Sequence, residues 1–279
     1  MRLRQLLLLL LFSATTQAAE PVRLLSTGSS TTELVLALGA EQQLVAVDST
    51  SDVPNNKGLP KLGYHRQLSA EGILSTQPSL VIGSEEMGPE SVLNLVRQAG
   101  VTVESLPEAQ TVMQLQDNIL RLGDLLDASA QSQILHNTVA ERAQALANDL
   151  PAHKSKKTIF LLLGDSNTVQ IAGRDTLANS MIQVAGGANP AIDQVEGYKP
   201  VAMEAIVAMA PEVILISRRS LTKEDPLAQL FKQFPLLRHT PAAQQEAIVP
   251  INGKALIGGF GLSTLAEAER LHQDWLAAP

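Results

Sequence analysis

The sequence predicts an α/β fold of two Rossmann-like lobes with parallel sheets, joined by a long rigid helix, with a ligand cleft between the lobes. Short apolar segments typical of strands alternate with helical segments in both halves of the chain. A helical pattern occupies the middle, and a stretch of the first half recurs in the second half. Two similar lobes that face each other leave a cleft at the carboxyl ends of their strands, where open parallel sheets bind ligands.

The first lobe is predicted from apolar strands that alternate with helices. We expect strands at residues 22–26, 44–47, 80–83 and 101–103, with helices at residues 32–38 and 90–98. Ser30 or Thr31 is expected to cap the first helix, and Glu33 would lie favourably in its first turn. This order of elements indicates a parallel sheet.

The middle of the chain, residues 112–150, has a helical pattern almost throughout. Leucine and isoleucine recur there at the spacing of one helix face, at Leu115, Ile119, Leu122 and Leu126. Residues 127–129 are expected to cap a second long helix. A polar, basic break at residues 151–157 then precedes a strongly apolar strand at 158–163. We interpret the break as the end of a rigid helical connector and the start of the second lobe.

An internal repeat supports two lobes. Residues 68–82 align without a gap on residues 201–215, and the matched residues include Glu71 with Glu204, Ile73 with Ile206 and Pro78 with Pro211. Upstream, Gly63-Tyr64 matches Gly197-Tyr198 if one residue is dropped. The predicted organisation is a signal peptide at 1–19, an N-terminal lobe at 20–127, a connecting helix at 128–153 and a C-terminal lobe at 154–279.

The N-terminus and the composition predict a soluble protein exported to the periplasm. Residues 1–19 combine Arg2 and Arg4 with an apolar run and small residues suited to cleavage, the pattern of a secretory signal. The chain has no cysteine, which excludes disulfides, thiolate catalysis and cysteine-based metal sites. A net charge of −7 argues against nucleic-acid binding and against a membrane-surface role. We expect a monomer.

The most informative segment surrounds Tyr64, one of only two tyrosines in the chain, with Arg66 two residues after it. A phenolate is a hard anionic donor suited to Fe(III), and tyrosine is a known axial ligand of haem. The pKa of a free phenol, about 10, must fall for ligation at neutral pH, and both the ferric ion and a guanidinium favour the phenolate. His65 is expected to point to the opposite side, because neighbouring side chains alternate along an extended chain.

The loop of Tyr64 and Arg66, with residues 84–89 downstream, resembles the tyrosine loop of periplasmic haem-binding proteins that supply bacterial ABC haem importers. Residues 22–275 resemble the wider class of periplasmic binding proteins whose lobes are joined by one long helix. The resemblance implies that Tyr64 ligates the iron of ferric haem b and that Arg66 hydrogen-bonds the phenolate. The haem would be transported rather than used as a catalytic cofactor. The implied partner is an inner-membrane ABC permease, with an outer-membrane haem receptor acting indirectly.

Further binding residues are candidates by position. Arg218 and Arg219 follow the predicted strand at 213–217 and suit haem propionates, and Arg174 is a weaker candidate at the same edge. Met87 and Phe260 would contact the porphyrin face, although each could equally belong to the core. Tyr198 would stack on the macrocycle, bond a propionate, ligate a second haem or simply pack. Carriers of this class dock on their permease through acidic patches, for which Glu90 and Glu224 lie in suitable segments.

The chain departs from the family pattern at two places. The family often has an arginine after a Gly-Phe-Gly-Pro run near the C-terminus, whereas this chain has Leu262-Ser263 after Gly259-Phe260-Gly261. The early loop of the second lobe, residues 164–168, lacks the histidine with which some members bind a second haem. Binding of two haems by that route is therefore not predicted.

Other functions on the same scaffold are less well supported. A carrier of cobalamin or of a ferric siderophore is the main alternative, and siderophore sites usually need several arginines or aromatic residues. A carrier of bare metal ions would need converging histidines and carboxylates, and the five histidines are dispersed. Enzymatic motifs such as Gly-x-Ser-x-Gly, His-Glu-x-x-His and the P-loop are absent from the sequence, so we predict no catalysis.

Overall fold

A four-stranded parallel sheet forms the core of the first half of the chain. The computed structural model describes residues 21–54, 58–149, 155–164, 168–217 and 226–277. The sheet order is β2-β1-β3-β4, with β1 at Leu24–Ser26, β2 at Leu44–Val47, β3 at Leu80–Ser84 and β4 at Thr102–Leu106. The predicted signal peptide, Arg218, Arg219 and Glu224 lie outside the described residues.

The helices of this half are α1 (Ser29–Ala37), α2 (Ala70–Ser75) and α3 (Glu90–Gln98). The predicted cap of α1 was wrong: the helix begins at Ser29, and its N-cap is Gly28, which has no side chain to offer. Gly28 has a φ of 86°, a conformation that favours glycine, and its N–H donates to Asp48 Oδ1 at 3.0 Å. Glu33 consequently lies beyond the first turn and is free to make the more distant contact described below.

Two long helices follow, α4 (Val112–Leu125) and α5 (Ser129–Asp149). Thr111 caps α4 by accepting a hydrogen bond from Gln114 N at 3.2 Å. The apolar face of both helices joins the core cluster of the first sheet, through Leu115, Ile119, Leu122, Val139 and Leu146. The predicted helical middle of the chain is therefore present, and α5 is its longest helix, with 21 residues.

The second half of the chain forms a mixed sheet of order β7-β6-β5-β8-β9. Its strands are β5 (Thr158–Leu163), β6 (Val169–Ala172), β7 (Tyr198–Pro200), β8 (Val213–Ser217) and β9 (Ile248–Ile251). Strands β5, β8 and β9 pair in parallel, whereas β6 and β7 run antiparallel to their neighbours. The α/β fold class is confirmed, and the antiparallel strands are an addition that the sequence did not predict.

Helices cover this sheet and return the chain to the first half. They are α6 (Leu177–Val184), α7 (Met203–Ala208), α8 (Pro226–Gln233), α9 (Pro241–Gln244) and α10 (Leu262–Ala277). Among the helices that the structure describes, none combines the length and the apolar character needed to cross a membrane.

The segment that leads into α10 is bonded to the first half at three points. Lys254 pairs with Asp52, and Phe260 N donates to Ala109 O at 2.6 Å. Glu33 of α1 accepts hydrogen bonds from Ser263 at the start of α10, at 2.9 Å from the backbone N and 2.6 Å from Oγ. A carboxylate from one half thus caps a helix that packs mainly on the other.

We predict that Glu33 makes stability fall as the pH rises. Burial raises the pKa of Glu33 above its ordinary 4.5, although hydrogen bonds from Ser263 and Ser29 oppose this. The folded chain therefore keeps the proton where the unfolded chain has lost it, and the unfolding free energy decreases as the pH rises from about 4.5 through the folded pKa. Urea denaturation should show wild type losing stability relative to Glu33→Gln over this range.

The matched control is Glu41→Gln, at an exposed glutamate in the same half of the chain. Its stability should follow that of wild type at each pH. A difference between wild type and Glu33→Gln that stays constant with pH would contradict the role of Glu33.

Candidate functional site

A cleft of about 360 Å³ lies between the two halves of the chain. The first half contributes residues that follow the carboxyl ends of β2, β3 and β4, namely Tyr64, Arg66, Glu86, Glu108 and Gln110. The second half contributes Asp175, Thr176 and Leu177 at the start of α6, Tyr198 of β7, and the segment Leu256, Ile257 and Gly258. The cleft therefore lies where the predicted architecture places a ligand.

A second, mainly apolar cavity of about 400 Å³ adjoins this cleft. It lies over the second sheet and is lined by Phe160, Leu162, Tyr198, Ser217, Gly253, Leu256 and Ile257. The two cavities share Tyr198, Leu256 and Ile257, so they are two parts of one depression. One part is rich in charged groups and the other is suited to an apolar ligand surface.

Tyr64 is presented to the cleft by a loop that is hydrogen-bonded to two other segments. Ser49 N donates to Gly63 O at 3.2 Å, and Gly88 N donates to His65 O at 2.9 Å. Within the loop, Gln67 N donates to Tyr64 O at 2.7 Å. The tyrosine side chain is 40% exposed while the backbone around it is held. A ligand that enters the cleft can reach the phenol without local unfolding.

His65 was expected to point to the opposite side from Tyr64, and this was wrong, because the chain turns here, with Gln67 N bonded to Tyr64 O, and is not extended. Its side chain is only 1% exposed, whereas Tyr64 faces the cleft. The two rings nevertheless remain in contact, with centroids 4.3 Å apart and planes at 58°. His65 therefore lies behind Tyr64 as seen from the cleft.

Arg66 lies in the cleft beside Tyr64 and pairs with Glu86. The hydrogen bond to Glu86 raises the pKa of Arg66, burial opposes it, and the charges of Glu86, Tyr64 and Glu108 add to the increase. The guanidinium is thus a permanent cation next to the phenol. Its hydrogen bond to a phenolate remains a prediction from the resemblance.

Tyr198 differs from Tyr64 in its environment. Burial raises its pKa to about 12, although a hydrogen bond with the backbone of Ala178 opposes the shift. Its ring packs edge-on against Phe160, with centroids 6.2 Å apart. The phenolate of Tyr198 is therefore costlier to form than that of an ordinary tyrosine, which favours ring contacts and hydrogen bonding over anionic ligation.

The structure removes Met87 and Phe260 from the list of ligand contacts. Met87 is 5% exposed and packs in the core with Leu25 and Val81, and Phe260 is fully buried in the core of the first half. Neither side chain has surface left for a porphyrin. The alternative that both belong to the core is the one that the structure supports.

The other charged candidates are engaged at the surface. Arg174 donates to Glu196 Oε2 at 2.7 Å, and its neighbour Asp175 lines the cleft. Glu90 is exposed at the start of α3 and pairs with Arg97 at 2.6 Å. Both residues remain accessible to a ligand or a partner, and their proposed roles stay predictions.

Sequence reasoning missed the carboxylates of the cleft. Glu86 and Glu108 face Arg66 from the ends of β3 and β4, and Asp175 faces them from the other half. Burial and the charge of Glu86 raise the pKa of Glu108, while Arg66 opposes the shift. The available signal was the position of these residues directly after buried strands, where the carboxyl edge of a sheet places side chains in the cleft.

This arrangement of two α/β lobes around a cleft defines a substrate-binding protein. The periplasmic binding protein family matches residues 24–255, and the chain belongs to this family. Proteins of the family deliver a bound substrate to ABC importers and are not enzymes.

The chain is similar to several characterised relatives. The periplasmic haem-binding protein HutB of Vibrio cholerae is 41% identical, with a TM-score of 0.87 over 92% of this chain and 99% of that chain. A periplasmic haem-binding protein from Pseudomonas aeruginosa is 34% identical, with a TM-score of 0.84 over 93% of this chain and 94% of that chain. The vitamin B12-binding protein of Vibrio parahaemolyticus is 28% identical over 232 residues, which are 82% of this chain and 83% of that protein.

We predict that Tyr198 stays protonated in alkali that ionises ordinary tyrosines. With a pKa of about 12, Tyr198 is mostly neutral at about pH 11, one unit lower. Since the chain has two tyrosines, the rise in ultraviolet absorbance on alkaline titration divides between them. In Tyr64→Phe, which keeps Tyr198 as its one tyrosine, most of the rise should come above about pH 11. A rise that is largely complete by about pH 11 in Tyr64→Phe would contradict the raised pKa of Tyr198.

Proposed function

We propose that this protein binds one ferric haem b in the cleft, with Tyr64 as the axial ligand of the iron, and delivers it to an inner-membrane ABC permease. The observation that carries the proposal is Tyr64 itself, a partly exposed phenol in a cleft between two lobes, beside a permanent cation. Ferric iron favours a phenolate oxygen, and the guanidinium of Arg66 lowers the cost of forming it. The protein catalyses no reaction and acts as a monomeric periplasmic carrier.

The apolar part and the charged part of the depression suit the apolar macrocycle and the iron of a haem, respectively. The apolar cavity near Phe160 and Leu162 is available to the hydrocarbon of the macrocycle, and the charged part contains Tyr64 and Arg66. Tyr198 stands where the two parts meet and contributes a neutral ring. Burial makes the phenolate of Tyr198 costly to form, whereas Arg66 lies beside Tyr64, so we assign the axial role to Tyr64 rather than to Tyr198.

The comparisons support haem as the cargo, since two solved structures of 41% and 34% identity are named as periplasmic haem-binding proteins. Delivery would use the two lobes predicted from the sequence, at 20–127 and 154–279, with the long helix α5 (Ser129–Asp149) between them. Glu90, exposed at the start of α3, is our candidate for a permease contact on the first lobe. Its docking would be electrostatic and would weaken with salt.

Cobalamin is the second candidate cargo, because a relative of 28% identity is named as a vitamin B12-binding protein. The carboxylates Glu86, Glu108 and Asp175 favour it locally, since they can accept hydrogen bonds from amide groups at the edge of a corrin ring. Haem remains the preferred cargo because Tyr64 supplies an oxygen ligand that suits ferric iron.

We expect hemin to bind wild type saturably and to bind Tyr64→Phe at least about tenfold more weakly, a loss of about 1.4 kcal/mol or more. Wild type should show a Soret shift and a phenolate-to-iron charge-transfer band, and the band should vanish in Tyr64→Phe. Absorbance titration of the haem-free protein measures both effects. Tyr198→Phe is the matched control and should keep the band.

Two results would contradict the proposal. Identical hemin spectra for wild type and Tyr64→Phe would exclude Tyr64 as the ligand. Saturable binding of cyanocobalamin by wild type, with no specific binding of hemin, would transfer the function to the second candidate.

A further inference from the structure

His65 is buried behind Tyr64 with its ring between two carboxylates. Its Nδ1 lies 3.5 Å from Asp48 Oδ2 and its Nε2 lies 3.7 Å from Glu86 Oε2. Within the described part of the chain, neither ring nitrogen has a partner at full hydrogen-bonding geometry. A buried polar ring is costly unless charged or polar groups surround it, and here both facing groups are acids.

Asp48 is the anchored end of this arrangement. Its carboxylate accepts hydrogen bonds from Gly28 N and Thr50 N, each at 3.0 Å, and from the hydroxyls of Thr50 and Ser51. Burial by itself would raise the pKa of Asp48, but contacts from His65, Ser51 and Thr50 hold it well below its usual range. Asp48 is therefore a fixed negative charge at the edge of the first sheet.

Glu86 is the partly exposed end of this arrangement. One of its oxygens faces His65 Nε2 and the other pairs with the guanidinium of Arg66. The sequence of contacts runs from Asp48 through His65 and Glu86 to Arg66, which lies in the cleft beside Tyr64. The ring of His65 also touches the ring of Tyr64. His65 thus meets the proposed ligand both directly and through the guanidinium.

We propose that His65 is a positioning residue for the axial ligand, an inference that rests on the proposed function. It supports the ring of Tyr64 from behind and ties the Glu86–Arg66 pair to the anchored Asp48. Removal of the ring would leave two carboxylates facing an unfilled space. Glu86 and Arg66 would then shift, and the cation would no longer be held beside the phenolate. Partners behind a metal ligand typically contribute about 10–100-fold in affinity.

A double-mutant cycle tests this proposal with hemin as the probe. The four proteins are wild type, His65→Leu, Glu86→Gln and the double variant. His65→Leu should speed hemin dissociation by about 10–100-fold and shift the phenolate charge-transfer band. In the Glu86→Gln background the same change should cost markedly less, because the contact through which His65 acts has been weakened.

The controls separate positioning from a general loss of structure. His239→Leu, at an exposed histidine remote in sequence from the cleft loops, should bind hemin as wild type does. If thermal melting shows that His65→Leu is unfolded, hemin dissociation is measured on His65→Gln instead, since its amide keeps a polar group behind Tyr64. We expect folded His65→Gln to dissociate hemin faster than wild type, because its amide does not replace the ring that contacts Tyr64.

Distinct results would overturn the inference or the function beneath it. Wild-type dissociation rates and spectra in the folded His65 variants, with the band lost in Tyr64→Phe, would overturn the role of His65 alone. Strictly additive effects of His65→Leu and Glu86→Gln would overturn the part of that role that acts through Glu86 and Arg66. A band that persists in Tyr64→Phe would remove the proposed function, and the role of His65 would fall with it.

Discussion

The buried carboxylate of Asp48 organises the carboxyl edge of the first sheet. It accepts a hydrogen bond from Gly28, at the turn between β1 and α1, and bonds Thr50 and Ser51 in the loop after β2. The same carboxylate faces His65, so the start of α1 and the tyrosine loop share one anchor. These groups belong to different loops of the first sheet, and Asp48 contacts all of them. The position of the tyrosine loop therefore depends on Asp48.

The width of the cleft depends on contacts beyond the long helix α5. The segment from Gly253 to Ser263 contributes Leu256 and Ile257 to both cavities, and it is bonded to the first half through Asp52, Ala109 and Glu33. This segment, which lines both cavities, is therefore bonded to both halves of the chain. A binding site built in this way is largely preformed, which reduces the ordering that a ligand must impose.

The two tyrosines of the cleft, Tyr64 and Tyr198, differ in their electrostatic surroundings. Tyr64 and Tyr198 are similarly exposed, but Tyr64 lies beside the cation of Arg66, whereas the pKa of Tyr198 is raised and its ring packs against Phe160. The carboxylates of Glu86 and Glu108 limit how far the guanidinium of Arg66 acts, since both face it. The proposed haem transport would account for these features together: Tyr64 would supply an oxygen to the iron, Arg66 would supply a cation beside it, and the apolar cavity would hold the ring. In our further proposal, His65 lies behind Tyr64 and positions both its ring and the Glu86–Arg66 pair.

The sequence by itself determined the order of elements in the first half, the bounds of β2, β5, β8 and α3 and the long helical middle, because periodicity is a local property. Motif spacing also singled out Tyr64, whose role as the iron ligand stays a prediction. It did not reveal the antiparallel strands β6 and β7: β7 has only three, exposed residues and ends in proline, so neither burial nor alternation marks it. Nor did it decide that Met87 and Phe260 are core, or that His65 lies between Asp48 and Glu86. Those outcomes belong to the tertiary structure, since the partners of a loop residue come from other strands and helices, and from as far away as Lys254 is from Asp52.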